Sequence, residues 1–493
     1  MILMSRKVKI VATLGPSSGE EDILREMILA GLDVARLNFS HGTHADHLAH
    51  IKIIRRLSKE LKKPITVLQD LQGPKMRVGV LPDEGILLQE GSTISFSSSE
   101  KIEHAKGALK PPLIPLDVPS LFESVVKGTH ILLDDGKIEV AVEKVDPDVL
   151  HCRVLQGGTL TSHKGVNLPG TSLNVSILTD KDIDDLKFGL ANSVDCIAIS
   201  FVRNAEDLAK VKDRIQDISP EQIDTPLIAK LERPEAIQNL DSIMAMANGV
   251  MVARGDLGVE TSPSDVPIMQ KEIIDSANRV GRTVITATQM LESMMYSPRP
   301  TRAEASDIAN AVFDGTDAVM LSGETATGKF PVECIRMMSK IVSEAEDHNA
   351  EWGHTKTYLA DNLFDDATAI TAATRTLAHD RNVAAIAVFT LTGHTALLMS
   401  KTRPRIPVLA LTPFEKTYQR MGLYWGIRPF LVPFAHSVEE MIQTVDVEIL
   451  KGTQIQIGQQ VAIVSGLPIN AMRKPNFMLL HTVGDKYNRK GSG

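Results

Sequence analysis

Eight short runs of nearly unbroken apolar residues, most of them ending in polar or charged residues, constrain this chain more than any other feature. They cover residues 9–14, 34–39, 65–70, 196–201, 227–231, 250–253, 283–287 and 318–321. A strand with one wet face alternates apolar and polar residues. A strand covered on both faces does not, so continuous runs point to parallel strands lying between a core and a helical layer. The gaps carry helix signals. Thr301-Arg-Ala-Glu304 is a capping box behind Pro298 and Pro300. Thr179-Asp180-Lys181-Asp182 places acid at a helix start, where the backbone dipole is positive.

Eight strand–helix units predict an α/β protein built on a (β/α)8 TIM barrel. The third unit is interrupted by more than a hundred residues that read partly as β structure. Residues 132–140 form a hairpin pattern around Asp135-Gly136, and 85–95 and 149–155 read as further strands. After about residue 350 comes a polar stretch, 354–366, taken as a linker and helix start. Four more strand patterns follow at 384–390, 407–412, 460–465 and 477–483, with helices between them. The expected division is a discontinuous barrel (1–71 and 170–348), an inserted small β-barrel domain (72–169), and a C-terminal open α/β domain (349–493). Three domains suit 493 residues.

A net charge of −8 provides no footprint for nucleic acid. No apolar run approaches a membrane span, and no apolar segment follows the N-terminus as a signal peptide would. Cys152, Cys196 and Cys334 are neither a disulfide framework nor a metal knuckle. A cytoplasmic protein with no nucleic-acid or membrane partner is expected.

In such a barrel the chemistry gathers at the C-terminal ends of the strands. Those ends carry Arg36-Leu-Asn38-Phe-Ser40-His41, Asp70, Ser200, Lys230-Leu-Glu232, Arg254-Gly255-Asp256, Thr286-Ala-Thr288-Gln289 and Ser322-Gly-Glu324. Glu232 and Asp256 suit a hard ion such as Mg2+, which takes one or two carboxylates plus substrate oxygens. Arg36 and Lys230 add fixed positive charge. Phosphoryl transfer needs this combination, since its catalysis is mostly positioning and charge neutralisation. Gly255 and Asp256, at a strand-to-helix turn, offer backbone N–H groups to a substrate carboxylate or phosphate. Two other readings share these residues: structural salt bridges at a barrel rim, and a metal-dependent lyase acting on an enolate. His41, His44, His47 and His50 recur every third residue; they read as a solvated helix face rather than a zinc site, His41 excepted.

The whole chain resembles the pyruvate kinases. The motifs that carry the resemblance include Lys9-Ile-Val-Ala-Thr-Leu-Gly-Pro16, Ala35-Arg-Leu-Asn-Phe-Ser-His-Gly42, Asp70-Leu-Gln-Gly-Pro-Lys75 and Lys164-Gly-Val-Asn-Leu-Pro-Gly170. In the same order come Ile228-Ala-Lys-Leu-Glu232, Ala253-Arg-Gly-Asp-Leu-Gly-Val-Glu260, Thr286-Ala-Thr-Gln-Met-Leu-Glu292 and Leu321-Ser-Gly-Glu-Thr-Ala326. The resemblance implies phosphoryl transfer between phosphoenolpyruvate and ADP, giving pyruvate and ATP, with the inserted domain as a lid and the last domain regulatory. It implies that Lys230 stabilises the phosphoryl group in flight and that Arg36 grips it. Glu232 and Asp256 would hold Mg2+ (or Mn2+). Gly255, Asp256 and Thr288 would surround the substrate, and His41, Arg77 and Lys164 would face the nucleotide. A homotetramer is the family's habit.

Two stretches depart from the usual family pattern. Asn38, Ser40, Asp70 and Leu71 match the family's K+ ligands, but Lys75 stands where K+-dependent members carry Glu, so the resemblance implies K+ is dispensable. Thr390, Thr392, Gly393, His394 and Thr395 resemble the family's sugar-phosphate loop, although a plain helix cap has the same pattern. Ser465-Gly-Leu-Pro-Ile-Asn-Ala-Met lacks the Gly-rich effector loop common in the family. The expected effector is a phosphorylated one of open identity: the pattern speaks against fructose 1,6-bisphosphate and leaves AMP or another sugar phosphate.

Overall fold

All eight apolar runs become strands of one closed, parallel barrel. They are β1 (Lys9–Thr13), β2 (Val34–Asn38), β3 (Thr66–Asp70), β4 (Cys196–Ile199), β5 (Leu227–Leu231), β6 (Gly249–Ala253), β7 (Thr283–Ala287) and β8 (Ala318–Leu321), ordered round the barrel as in the chain. The computed structural model describes residues 6–97, 112–116, 119–171, 175–353, 365–469 and 473–485. Side chains alternate between two cores. Val11, Val34, Leu68, Cys196, Ile228, Met251 and Ile285 fill the barrel. Their neighbours Ile10, Ala35, Val67, Ile197, Ala229, Val250 and Val284 pack outward against the helices. Both faces are dry, which is why the runs show no alternation.

Helix starts follow the sequence signals. Thr179 and Thr301 each close a complete capping box, with Asp182 and Glu304 respectively.

The inserted segment leaves the barrel after β3. Its described strands form a six-stranded sheet and a two-stranded sheet, sharing a core that includes Leu88, Phe96, Leu133, Val140 and Leu160. The Asp135-Gly136 hairpin joins His130–Leu133 to Ile138–Asp146. The strand expected over 85–95 is two strands, Ile86–Leu88 and Thr93–Ser97. Between them Ser92 N donates to Gln89 O (3.0 Å), and Gly91 takes φ +76°, a turn that propensity alone did not reveal.

The C-terminal sheet has five strands, one more than expected. Its extra strand, Ile427–Leu431, lies at an edge, contains Pro429 and is largely half-exposed, so it lacks a strand signature. Of the linker expected over 354–366, residues 354–364 lie outside the described residues. This domain packs on the barrel floor, the N-terminal ends of the strands. There Lys9 Nζ donates to Ile427 O (2.8 Å), and Lys401 (2.5 Å) and Arg403 (2.8 Å) both pair with Asp317. Among the described residues, no helix is long and apolar enough to cross a membrane.

Candidate active site

At the opposite end of the barrel, β2, β3, β4 and β5 bring one connected group of charges together. Asp70, ending β3, is buried. Its Oδ2 accepts from Arg36 Nε (2.6 Å), and its Oδ1 lies 3.3 Å from Lys230 Nζ. Arg36 is held a second time, Nη1 donating to Thr13 Oγ1 (2.8 Å). The Lys230 ammonium also donates to Ser200 Oγ (2.7 Å) and pairs with Glu232 Oε1 (2.8 Å). Burial alone would lower the Lys230 pKa, but Asp70 and Glu232 outweigh it and push the pKa above the usual lysine value. The amine therefore stays charged at neutral pH. Burial would likewise raise Asp70, yet Arg36 and Lys230 hold it below the usual carboxylate range.

Glu232 receives the Phe201 backbone N–H on Oε2 (2.8 Å). Its pKa is raised, first by burial and further by the nearby Asp256 charge, against the pull of Lys230. Asp256 sits in the first turn of the helix Arg254–Glu260. A cation between these carboxylates would relieve the repulsion between buried Glu232 and half-buried Asp256. Among the described residues, no group of three or more His, Cys, Asp or Glu gathers to form a metal cage. The pair therefore fits Mg2+, which completes its shell with substrate oxygens and water, better than zinc.

Beyond β7 the backbone takes a conformation rare for side-chain-bearing residues: Thr288 at φ +67° and Gln289 at +54°. Arg254 holds this turn in place. Its guanidinium donates to the carbonyls of Ala287 (3.3 Å), Thr288 (2.7 Å) and Gln289 (3.2 Å), and pairs with Asp307 (2.7 Å). Thr288 Oγ1 in turn accepts from Gly255 N (2.8 Å) and donates to Ala287 O (2.7 Å). Arg254 and Ser200 were visible in the sequence only as strand-end residues without a role. Each acts by gripping a neighbouring strand, and no local spacing records that.

The residues expected around nucleotide and K+ are only partly gathered. Asn38 Oδ1 accepts from Ser40 N (3.2 Å), and the Leu71 carbonyl accepts from Ser200 Oγ (2.7 Å). His41 is pushed to a lower pKa by burial and by the charges of Arg77, Lys75 and Arg36, so its ring feels all three cations. Arg77 donates to His163 O (2.9 Å) in the inserted domain. The Lys164 ammonium is paired with Asp134 (2.8 Å) on the insert's hairpin. Lys75 lines a cleft at the junction of insert and barrel with Phe201 and Glu260. The histidine run is not a solvated face throughout: His47 is buried and stacks on Phe39 (4.1 Å, 19°), and His44 stacks on Phe188 while meeting Asp185. Phe39, on the loop after β2, and Phe188, on the helix Asp180–Ala191, supply the cover.

In the C-terminal domain, Gly393 (φ +87°) caps the helix His394–Lys401. Its N–H donates to Thr390 Oγ1 (3.0 Å), and His394 N donates to Thr392 Oγ1 (3.4 Å). Thr390, Thr392, His394 and Thr395 line a pocket of about 180 Å³ together with Arg473 and Lys474. Hydroxyls, a helix start and two cations make it suitable for an anion. Of the stretch 465–472, residues 470–472 lie outside the described residues.

A rim of fixed cations beside a carboxylate pair, on a parallel barrel, defines a phosphotransferase. The chain belongs to the pyruvate kinase family. The family's barrel-domain model matches residues 5–335 and its alpha/beta-domain model residues 368–481. The chain is 47% identical to pyruvate kinase 2 of Synechocystis over 446 residues, 89% of this chain and 73% of that one. It is 41% identical to a pyruvate kinase of Agrobacterium vitis over 98% of this chain and all of the other. With the Geobacillus stearothermophilus pyruvate kinase it shares 40% identity over 99% of this chain and 82% of the other.

Proposed function

We propose that the chain transfers the phosphoryl group of phosphoenolpyruvate to ADP, yielding pyruvate and ATP in the last step of glycolysis. The observation that carries this reading is the Lys230 ammonium, fixed among Asp70, Ser200 and Glu232 beside Arg36. A terminal ADP oxygen attacks phosphorus, the bond from phosphorus to the enolate oxygen breaks, and the enolate carbon then takes a proton. Lys230 and Arg36, already paid for in desolvation, neutralise the phosphoryl oxygens as they pass. Glu232 and Asp256 would hold Mg2+ (or Mn2+), which when bound supplies further positive charge to the phosphoryl and carboxylate oxygens. The Gly255 N–H orients Thr288 Oγ1, whose own proton is committed to Ala287 O. Thr288 thus acts by positioning a water that protonates the enolate, not as the acid itself.

His41, Arg77 and Lys164 face the nucleotide in this reading, which requires Lys164 to exchange Asp134 for phosphate when the insert closes as a lid. Closure excludes water, favouring transfer over hydrolysis. K+ is dispensable: both Asp70 oxygens already serve cations, and Lys75 adds another charge nearby. The proposed domains are the barrel (1–71 with 170–348), the inserted lid (72–169) and the C-terminal domain (349–493). The Thr390–Thr395 pocket takes a phosphorylated effector, a sugar phosphate or AMP. A cytoplasmic homotetramer, the habit of the family, completes the reading.

The test is pyruvate formation from phosphoenolpyruvate, Mg2+ and ADP in K+-free buffer, beside Lys230→Met. Activity that needs ADP and is lost in the variant is expected. Turnover of the substrate without ADP would favour the lyase alternative and overturn this reading.

A further inference from the structure

A cavity of about 270 Å³ lies on the barrel floor, between barrel and C-terminal domain. Its barrel wall is made by the starts of four strands, at Thr66, Cys196, Ile228 and Thr283, with Arg282 just before the last. Its other wall includes Leu397, Arg420 and Tyr424. Thr392 and His394 line both this cavity and the Thr390–Thr395 pocket, so one loop separates the two.

The charges here do not balance. Arg420 is only 9% exposed. Its Nε donates to Asp195 O (3.1 Å) and its Nη1 to Asp224 (3.1 Å), but Nη2 is buried with no acceptor among the described residues. Buried guanidinium groups of this kind are ordinarily satisfied. Arg282 reaches only the carbonyls of Met244 (2.8 Å) and Ala245 (3.2 Å), and burial pushes its pKa down. The acids on the same walls are already engaged. Asp195 pairs with Arg55 (2.9 Å) and accepts from Val67 N, and Asp224 pairs with Lys416 (3.2 Å) as well as Arg420. The unmatched charge is positive, and apolar Leu397, Leu423 and Ile228 lie beside it.

We propose that this cavity is a binding site for a small organic anion, a carboxylate or phosphate head on a compact body, held by Arg420 and Arg282. It is separate from the Thr390–Thr395 pocket and does not depend on what binds there. Its ligand would touch the bases of β4, β5 and β7, whose far ends lead to Ser200, Lys230 and Thr288.

The test is calorimetric titration of the full chain with succinate and, separately, with inorganic phosphate. Saturable binding of at least one is expected, and which one binds identifies the head group. Leu397→Trp, which projects a larger side chain into the cavity and leaves every polar contact in place, should weaken that binding. Arg420→Gln should weaken it at least tenfold, while Lys474→Met, in the neighbouring pocket, should leave it unchanged. Neither probe binding, binding unaffected by both Leu397→Trp and Arg420→Gln, or binding lost in Lys474→Met would each overturn the proposal.

Discussion

Lys230 Nζ lies 2.8 Å from Glu232 Oε1, so the cation proposed to meet the travelling phosphoryl group and a carboxylate proposed to hold Mg2+ are already partners. The same ammonium meets Ser200 Oγ at 2.7 Å. Lys230→Met keeps the length of the side chain and removes its charge. We expect kcat to fall by about 10³-fold or more, roughly 4 kcal/mol of transition-state stabilisation, with the KM for phosphoenolpyruvate changed only a few-fold. Ser200→Ala removes the hydroxyl that orients the Lys230 ammonium and should cost about tenfold in kcat. Steady-state kinetics, with melting curves to exclude unfolding, checks both.

Arg254 makes a second test of positioning. Its three carbonyl bonds hold Thr288 and Gln289 at positive φ, and Asp307 fixes it from the far side. Arg254→Lys keeps the charge but cannot serve three carbonyls with a planar fork. We expect kcat to drop about 10²-fold while nucleotide affinity stays near the parent value. Enolate protonation should suffer most, which exchange of pyruvate methyl protons with deuterated water would reveal.

The barrel was legible because its strands are dry on both faces: eight apolar runs leave few alternatives once helix caps separate them. The rim was legible as composition, since polar groups collected at one end of each run. Which atoms meet was not. Arg254 grips residues on the following strand and Ser200 braces a lysine on the next one, contacts set by barrel closure rather than local spacing. Ile427–Leu431 escaped notice because an edge strand with a proline carries neither alternation nor an apolar run. His47 looked solvent-facing because the partner that covers it, Phe39, lies on the preceding loop.

Asp33 predicts a pH dependence of stability. It pairs with Arg6 (2.6 Å) and Lys63 (3.6 Å) and accepts from Ile10 N (2.9 Å). Burial would raise its pKa, but Arg6, Lys63 and Lys9 outweigh that and bring it from 3.8 down to about 2. As pH falls, the unfolded chain takes the proton first. The stabilisation is therefore complete above 3.8 and lost as pH falls towards 2. Asp33→Asn leaves largely buried Arg6 and half-exposed Lys63 without their acid and should cost about 3–5 kcal/mol. In urea titrations the gap between parent and variant should be constant from neutral pH to about 5 and shrink only below that.

For the effector pocket, Lys474→Met removes one of two cations beside Thr390, Thr392 and Thr395. If the pocket takes a phosphorylated effector, the variant should keep its basal rate and need at least about tenfold more effector for half-maximal response. The loss of the Lys474 pair with Asp365 (2.7 Å) is at the surface and should matter little for stability. Initial rates against ribose 5-phosphate, glucose 6-phosphate and AMP would check it; an unchanged response to all three would place the effector elsewhere.

Potassium dependence tests the other departure from the family pattern. Both carboxylate oxygens of Asp70 already serve Arg36 and Lys230, and Lys75 adds positive charge that is felt at His41. A monovalent cation arriving beside Asp70, Asn38 and Ser40 would therefore meet a site already neutralised. Replacing K+ by a large organic cation at constant ionic strength should change the parent rate by less than about tenfold. Lys75→Glu reverses the charge next to that cluster, leaving an acid with no cation. The variant should lose most of its activity in K+-free buffer and recover it as K+ is added, whereas Lys75→Met should be slow with or without the ion. If K+ strongly activates the parent itself, Lys75 is not the substitute, and the cluster around Asp70 must open to admit the ion.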